Sequence, residues 1–199
     1  MDIFDFSQYS ESFLKIRTKN GRIIPFKPNE PQKRLLSVIE GERKAGRPVR
    51  IIILKARQMG FSTLTEGVLF HSTITSENTT SLVIAHKEEA AAGLFAMNKL
   101  FYDELPERIR PMRNTASTKE MVFENPDKGS AEKGLRSRIR SATAGGRGVG
   151  RSETITNIHA SEVAFWEGDK KAILNGLMQA VPDSPGTMVI LESTANGCD

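Results

Sequence analysis

Lys55-Ala56-Arg57-Gln58-Met59-Gly60-Phe61-Ser62-Thr63 follows directly on Ile51-Ile52-Ile53-Leu54, an unbroken apolar run. A short apolar strand, a loop and then a stretch able to form a helix make the setting of a P-loop. In that setting backbone N–H groups at a helix N-terminus cradle phosphates. Against the pattern G-x-x-x-x-G-K-[ST] the segment agrees at Gly60 and Ser62. It departs at two places: Lys55 stands at the first glycine and Phe61 at the lysine. Either the likeness is accidental, or the phosphate-binding cation has moved to the front of the loop. Lysine is a point charge on a flexible stem, so Lys55 could reach the β- and γ-phosphates from there. The plainer alternative is a lysine that merely ends a strand.

Working outward, Asn29-Glu30-Pro31 predicts a helix start, with a capping side chain, an acid and a proline in the first turn. Leu35, Leu36, Val38 and Ile39 give that helix its apolar face, and Gly46 stops it. Ile51-Ile52-Ile53-Leu54 reads as a buried parallel strand. Ser81-Leu82-Val83-Ile84-Ala85 is a second apolar strand, followed by a helix over 87–105 with Leu94, Met97, Phe101 and Leu105 on one stripe. Short strands are expected at 120–124 and 136–141, a third core strand at 154–160, then an amphipathic helix ending near Val181. Met188-Val189-Ile190-Leu191 is the last strand and runs into Glu192-Ser193-Thr194-Ala195-Asn196-Gly197. Alternating strands and helices predict an α/β fold with a parallel sheet flanked by helices and ligands at the strands' carboxyl ends. The polar clusters at 55–63, 161–162 and 193–197 all fall on that edge.

Hydrolysis of a nucleoside triphosphate needs a phosphate cradle, a magnesium ligand, a base to position water and cations for the developing charge. Ser62 stands where the motif places its Mg2+-binding hydroxyl, and Arg57 is a second cation in the loop. The third strand should end in an Asp-Glu pair; here it ends Ser161-Glu162. Glu162 is placed to activate water, while Ser161 can hydrogen-bond a magnesium-held water but brings no charge. His159, inside the strand, reads as a packed histidine rather than a ligand. Ser193, Thr194, Ala195 and Asn196 could sense a γ-phosphate, or could form a plain Asn-Gly turn. Gln32 could read an adenine edge.

The chain carries a net charge of +4 with 26% charged and 38% hydrophobic residues. That is ordinary for a soluble domain, and 199 residues suffice for a sizeable core. No apolar run approaches the ~20 residues of a membrane span. The acidic N-terminus lacks a signal peptide's basic start, and a single cysteine, Cys198, excludes an internal disulfide framework. From Lys133 to Arg151 there are six basic residues (Lys133, Arg136, Arg138, Arg140, Arg147, Arg151) and no acid among glycines. Two readings stand: a phosphate- or DNA-facing surface, or a solvated strand edge.

Together these residues resemble the ATPase domain of the large terminase subunit, the DNA-packaging motor of tailed phages. The resemblance covers roughly residues 25–197. It rests on Pro31-Gln32-Lys33 as an adenine-reading Q motif, residues 55–62 as a deviant Walker A, and the strand at 81–86. Ser161-Glu162-Val163-Ala164-Phe165-Trp166 follows the Walker B strand, and Ser193-Thr194-Ala195-Asn196-Gly197 is the coupling motif. The resemblance implies a P-loop NTPase of the RecA-like ASCE class that hydrolyses ATP with Mg2+ and drives double-stranded DNA into a procapsid. It implies a homo-oligomeric ring, typically of five subunits, docked on the portal protein in the host cytoplasm and assisted by a small terminase subunit. It favours Lys55 as the working cation and Arg57 as an arginine near the phosphates. A trans-acting arginine would be Arg151, or else Arg147.

Residues 1–25 are then an N-terminal arm and 26–199 the ATPase domain of a longer protein, with no nuclease activity expected of this chain. Ser161 is a departure that bears on metal coordination. A helicase-like ATPase, or a non-hydrolysing module that binds nucleotide or DNA, remains the alternative reading.

Overall fold

The structure, a computed structural model, describes residues 2–146 and 154–197. Helix α1 (Phe6–Phe13) and a hairpin, β1 (Lys15–Arg17) with β2 (Ile23–Pro25), come first. Then follow α2 (Glu30–Lys44), β3 (Val49–Leu54), α3 (Phe61–Ile74), β4 (Thr80–Ala85) and α4 (Glu88–Asp103). Strands β5 (Thr115–Ala116), β6 (Glu120–Phe123), β7 (Ser137–Thr143) and β8 (Asn157–Ser161) precede α5 (Lys170–Gln179) and β9 (Met188–Ser193). Every helix and strand expected from periodicity is present, with ends shifted by a few residues. The segment after Ser161 is divided: a 3-10 turn at Val163–Phe165 precedes α5.

Seven strands form one sheet in the order β3-β9-β8-β4-β7-β6-β5. The first five are parallel; β6 and β5 return antiparallel. Strand β9 is interposed between the loop strand β3 and the strand β8 that ends at Ser161.

Side chains alternate across the sheet with the period of two that a strand imposes. Leu82, Ile84, Ile158, Ala160 and Val189 face α5 and close a core with Trp166 and Leu177. Val83, Ala85, Ile139, Met188 and Ile190 face α3 and α4 and join Leu64, Val68, Leu69, Phe70 and Phe101. Burying each of the Val, Leu, Ile, Met and Phe side chains among these contributes ~1.5–3 kcal/mol. Helix α3 is buried almost all round, polar residues such as Thr65, Glu66 and Thr73 included, because it lies between the sheet, α1 and α4. The N-terminal arm adds Phe6, Tyr9, Phe13 and Leu14 to the same core.

Two expectations are corrected. Strand β3 is not buried on both faces: Ile52 is 82% and Leu54 78% exposed, while Val49 and Ile53 are buried. It lies at the sheet edge, pairs with β9 alone among the described residues, and has only one face covered. On α2, Val38 is exposed, and Leu35, Leu36 and Ile39 form the buried stripe.

Candidate active site

The loop between β3 and α3 is shaped by its glycine and by α2. Gly60 has φ +75° and Gln58 φ 64°, both in the left-handed region. A Cβ at Gly60 would stand 2.7 Å from Gln32 Nε2, so a larger residue would have to displace that amide as well as adopt a positive φ. Gln32 Nε2 donates to Gly60 O at 2.6 Å, and Asn29 Nδ2 donates to Met59 O at 3.2 Å. The same two residues close the capping box of α2, Asn29 Oδ1 accepting from Gln32 N and Gln32 Oε1 from Asn29 N. Gln32 is thus 4% exposed, with both ends of its amide held by backbone. From the arm, Lys19 Nζ donates to Gln58 Oε1 at 2.8 Å.

Helix α3 begins at Phe61 with Gly60 as its cap and no side-chain capping bond. Its first-turn amides therefore keep their capacity for an anion, reinforced by the helix dipole. Phe61 packs against the main core, and Thr63 lines a separate groove with Ile16, Met97 and Phe101. Ala56 and Arg57 are exposed.

Beside the loop lies a cleft of about 390 Å³ lined by Lys55, Arg57, Gln58, His86, Glu162, Phe165 and Thr194. Lys55 extends from the end of β3, its N–H bonded to Ser193 O. Its ammonium is 3.3 Å from Glu162 Oε1 and 3.6 Å from Glu192 Oε1, and the side chain is only 9% exposed. It is not a solvated strand-end lysine. Glu162 sits just past β8 at φ 51°, ψ 47°, a left-handed conformation that is uncommon for a residue with a Cβ. Several contacts hold it there. Thr194 N–H and Oγ1–H both donate to Glu162 Oε2, and Trp166 Nε1 donates to Ser161 O at 3.0 Å. Burial would raise the Glu162 carboxyl, but the Thr194 bonds and Lys55 outweigh it and hold the group below its ordinary range.

Residues 193–196 are bound to the segment after Glu162 rather than forming a free turn. Ala164 N–H donates to Ser193 Oγ, and Asn196 Nδ2 donates to Ala164 O at 2.9 Å. Ala195 is exposed.

Behind the cleft is a buried charged chain whose acids the sequence reading assigned no role. Glu192 is 1% exposed and lies opposite Ser161 in the β8–β9 register. Its Oε1 accepts from Ser62 Oγ at 2.5 Å and from Ser161 Oγ at 3.1 Å. His159 Nε2 is 3.2 Å from the same oxygen, and its Nδ1 meets Glu66 Oε1 from α3. Glu66 Oε2 in turn accepts from Asn98 of α4. Burial pushes the His159 imidazole down, yet Glu66 and Glu192 reverse this and raise it to about 9. Burial likewise pushes Glu192 up, but His159, Ser62 and Lys55 bring it down to about 2. His159 is therefore a fully buried, paired histidine. The available signal was an acid directly after four apolar residues in β9 (Glu192) and the single acid of α3 (Glu66).

Ser62 Oγ, Ser161 Oγ and Glu192 Oε1 converge on one spot, and Glu192 Oε2 is buried without a hydrogen-bond partner. Hard oxygen donors of this kind fit Mg2+, which is held by one or two carboxylates, substrate phosphates and water. Among the described residues no three His, Cys, Asp or Glu side chains form a metal cage by themselves. A nucleotide's phosphates would have to complete the shell.

Arg147 and Arg151 lie outside the described residues. Within the rest of the basic run Arg136 reaches Glu77 at 3.4 Å and Arg138 reaches Glu120 at 4.0 Å, while Lys133 Nζ donates to Ser130 O at 2.7 Å. Among the described residues no helix is long and apolar enough to cross a membrane.

Comparison with solved structures identifies the fold. The large terminase of bacteriophage HK97 superposes with a TM-score of 0.70 at 17% identity, over 94% of this chain and 36% of that one. The large terminase ATPase domain of Thermus phage P74-26 gives a TM-score of 0.58 at 17% identity, over 87% and 72% of the two chains. The chain spans about a third of the HK97 protein's length. No family model matches the sequence, and no curated protein matches it. These two structures share their fold with this chain at only 17% sequence identity.

Proposed function

We propose that this chain is the ATPase domain of a large-terminase-type packaging motor, hydrolysing ATP to drive double-stranded DNA into a procapsid. The observation that carries this reading is the meeting of Lys55 and Glu162 at 3.3 Å in a cleft beside an uncapped helix N-terminus. A buried cation, a carboxylate and free amides are the parts that phosphoryl transfer to water requires.

Each residue then has a role. The first-turn amides of α3 hold the β- and γ-phosphates. Lys55 leaves Glu162 for the γ-phosphate when nucleotide arrives, countering the charge that develops there. Glu162, so released, positions a water and takes its proton as the water oxygen bonds to phosphorus and the bond to the ADP oxygen breaks. Mg2+, when bound, would neutralise the phosphate oxygens, with Ser62 as its protein hydroxyl and Ser161 hydrogen-bonded at its shell. Gln32 acts on the nucleotide through the loop it holds. Thr194 grips Glu162 from the coupling segment, so γ-phosphate loss is transmitted along residues 193–196.

Arg57 is the arginine near the phosphates in cis, and Arg151 or Arg147 comes from an adjacent subunit. An arginine finger raises the rate by ~10³–10⁵, so the assembled ring, five subunits on a portal with a small terminase subunit in the host cytoplasm, is the efficient hydrolase.

The test is ATP turnover by the oligomer with double-stranded DNA, comparing wild type with Lys55→Ala and Glu162→Ala. Turnover should fall ~10²–10³-fold or more in both variants. Equal turnover in all three would overturn the assignment, and nucleotide binding without turnover by wild type would indicate a binding module.

A further inference from the structure

We infer that Glu192 supplies the acidic group of the metal shell that Ser161 cannot, so that the carboxylate has moved from the end of β8 to the neighbouring strand β9. This rests on the ATPase reading above.

In P-loop hydrolases the metal is shared between the loop's Ser or Thr and an Asp at the end of the strand facing it. Here the loop hydroxyl is Ser62, and the strand position is Ser161. The carboxylate that Ser62 actually meets is Glu192, at 2.5 Å. Neighbouring strands lie ~4.8 Å apart, and Ser161 and Glu192 are register partners pointing to the same face. Glutamate is one methylene longer than aspartate, and that extra reach returns an acid on β9 to the loop hydroxyl. Ser161 Oγ donates to the same oxygen at 3.1 Å, so the residue left in the expected position now orients its substitute.

The surroundings separate this from a carboxylate kept only to neutralise His159. An ion pair would engage Glu192 from the His159 side alone. Instead Oε1 also accepts from both serines and has the Lys55 ammonium at 3.6 Å, so a cation already rests at the site. Oε2, buried and without a hydrogen-bond partner, leaves further acceptor capacity. On the far side His159 is pinned by Glu66 and Asn98, which fixes the direction from which Glu192 is supported.

The experiment uses Mn2+ as the probe, its affinity for the ADP complex read by electron paramagnetic resonance, with ADP affinity in EDTA measured separately. Glu192→Gln should weaken Mn2+ ~10–100-fold while leaving metal-free ADP affinity within about twofold. Ser161→Asp in the Glu192→Gln background should restore most of the Mn2+ affinity, since it returns the acid to β8. Unchanged Mn2+ affinity in Glu192→Gln, or no recovery in the double variant, overturns the inference and leaves the ATPase reading standing. Failure of wild type to bind ADP at all overturns both.

Should Glu192→Gln fail to fold, Ser161→Asp alone decides. With Glu192 already supplying the charge, Mn2+ affinity should rise no more than about threefold. A tenfold gain would mean that the acidic position had been vacant.

Discussion

Ser62 Oγ donates a 2.5 Å hydrogen bond to Glu192 Oε1, joining two residues 130 positions apart. One stands in the first turn of the loop helix and the other near the end of the last strand. The bond ties the phosphate loop to the strand that continues into Thr194, which itself holds Glu162. The loop, the end of β9 and Glu162 are thereby one connected unit, and Lys55 is held against Glu162 and Glu192.

The proposed placement of the working cation at Lys55 leads to a rescue test that should fail. Lys55→Ala should lower phosphate release ~10²–10³-fold, the usual cost of one preorganised electrostatic group. Adding Phe61→Lys should not restore it, because position 61 packs on the core rather than into the cleft. Recovery to within tenfold of wild type would move the working cation back to position 61.

Gly60 and Gly46 separate strain from clash. Both have positive φ, but a Cβ at Gly46 meets nothing within 4 Å, whereas one at Gly60 meets Gln32 Nε2 at 2.7 Å. Each alanine substitution should cost ~1–3 kcal/mol in urea unfolding from backbone strain. Gly60→Ala should cost more than Gly46→Ala, and it alone should weaken ADP binding. Equal costs with unchanged ADP binding would show that the Gln32 contact does not shape the loop.

His71 gives a pH dependence of known sign. It is buried against Phe6 and Tyr9 with Nε2 on Ile3 O, and Arg43, Asp5 and Asp2 lie in its field. Burial first of all lowers it from 6.5 to about 4. The folded group is thus depressed, and between those values the unfolded chain binds a proton that the folded one refuses. Its stabilisation is full above pH 6.5 and is lost as pH falls toward 4, by ~3 kcal/mol in all. Urea unfolding at pH 7 and pH 4 should show that loss in wild type and a correspondingly smaller one in His71→Gln. Identical pH profiles would exclude His71 as a source of acid sensitivity.

Strand β3 should respond to substitution by face. In this chain Ile52→Thr, on the open face, should change stability by no more than ~0.5 kcal/mol. Ile53→Ala, at 9% exposure, should cost ~2–5 kcal/mol. Comparable losses by thermal melting would mean that both faces of the strand are covered.

What the sequence determined by itself was local. The apolar run into a loop with Gly60 and Ser62, the Asn29-Glu30-Pro31 helix start and the alternation of strands with helices are set by φ restrictions, capping and side-chain period. Those act over a few residues and could be read directly. The same parity puts Glu192 on one face with Met188 and Ile190, but it does not say which strand lies alongside. Tertiary structure decided that β9 inserts between β3 and β8, which brings Glu192 opposite Ser161 and within reach of Ser62. It also decided that β3 is an edge, so an apolar run that looked two-sided exposes Ile52 and Leu54. Periodicity records which way a side chain points; only the order of strands in the sheet records what it points at.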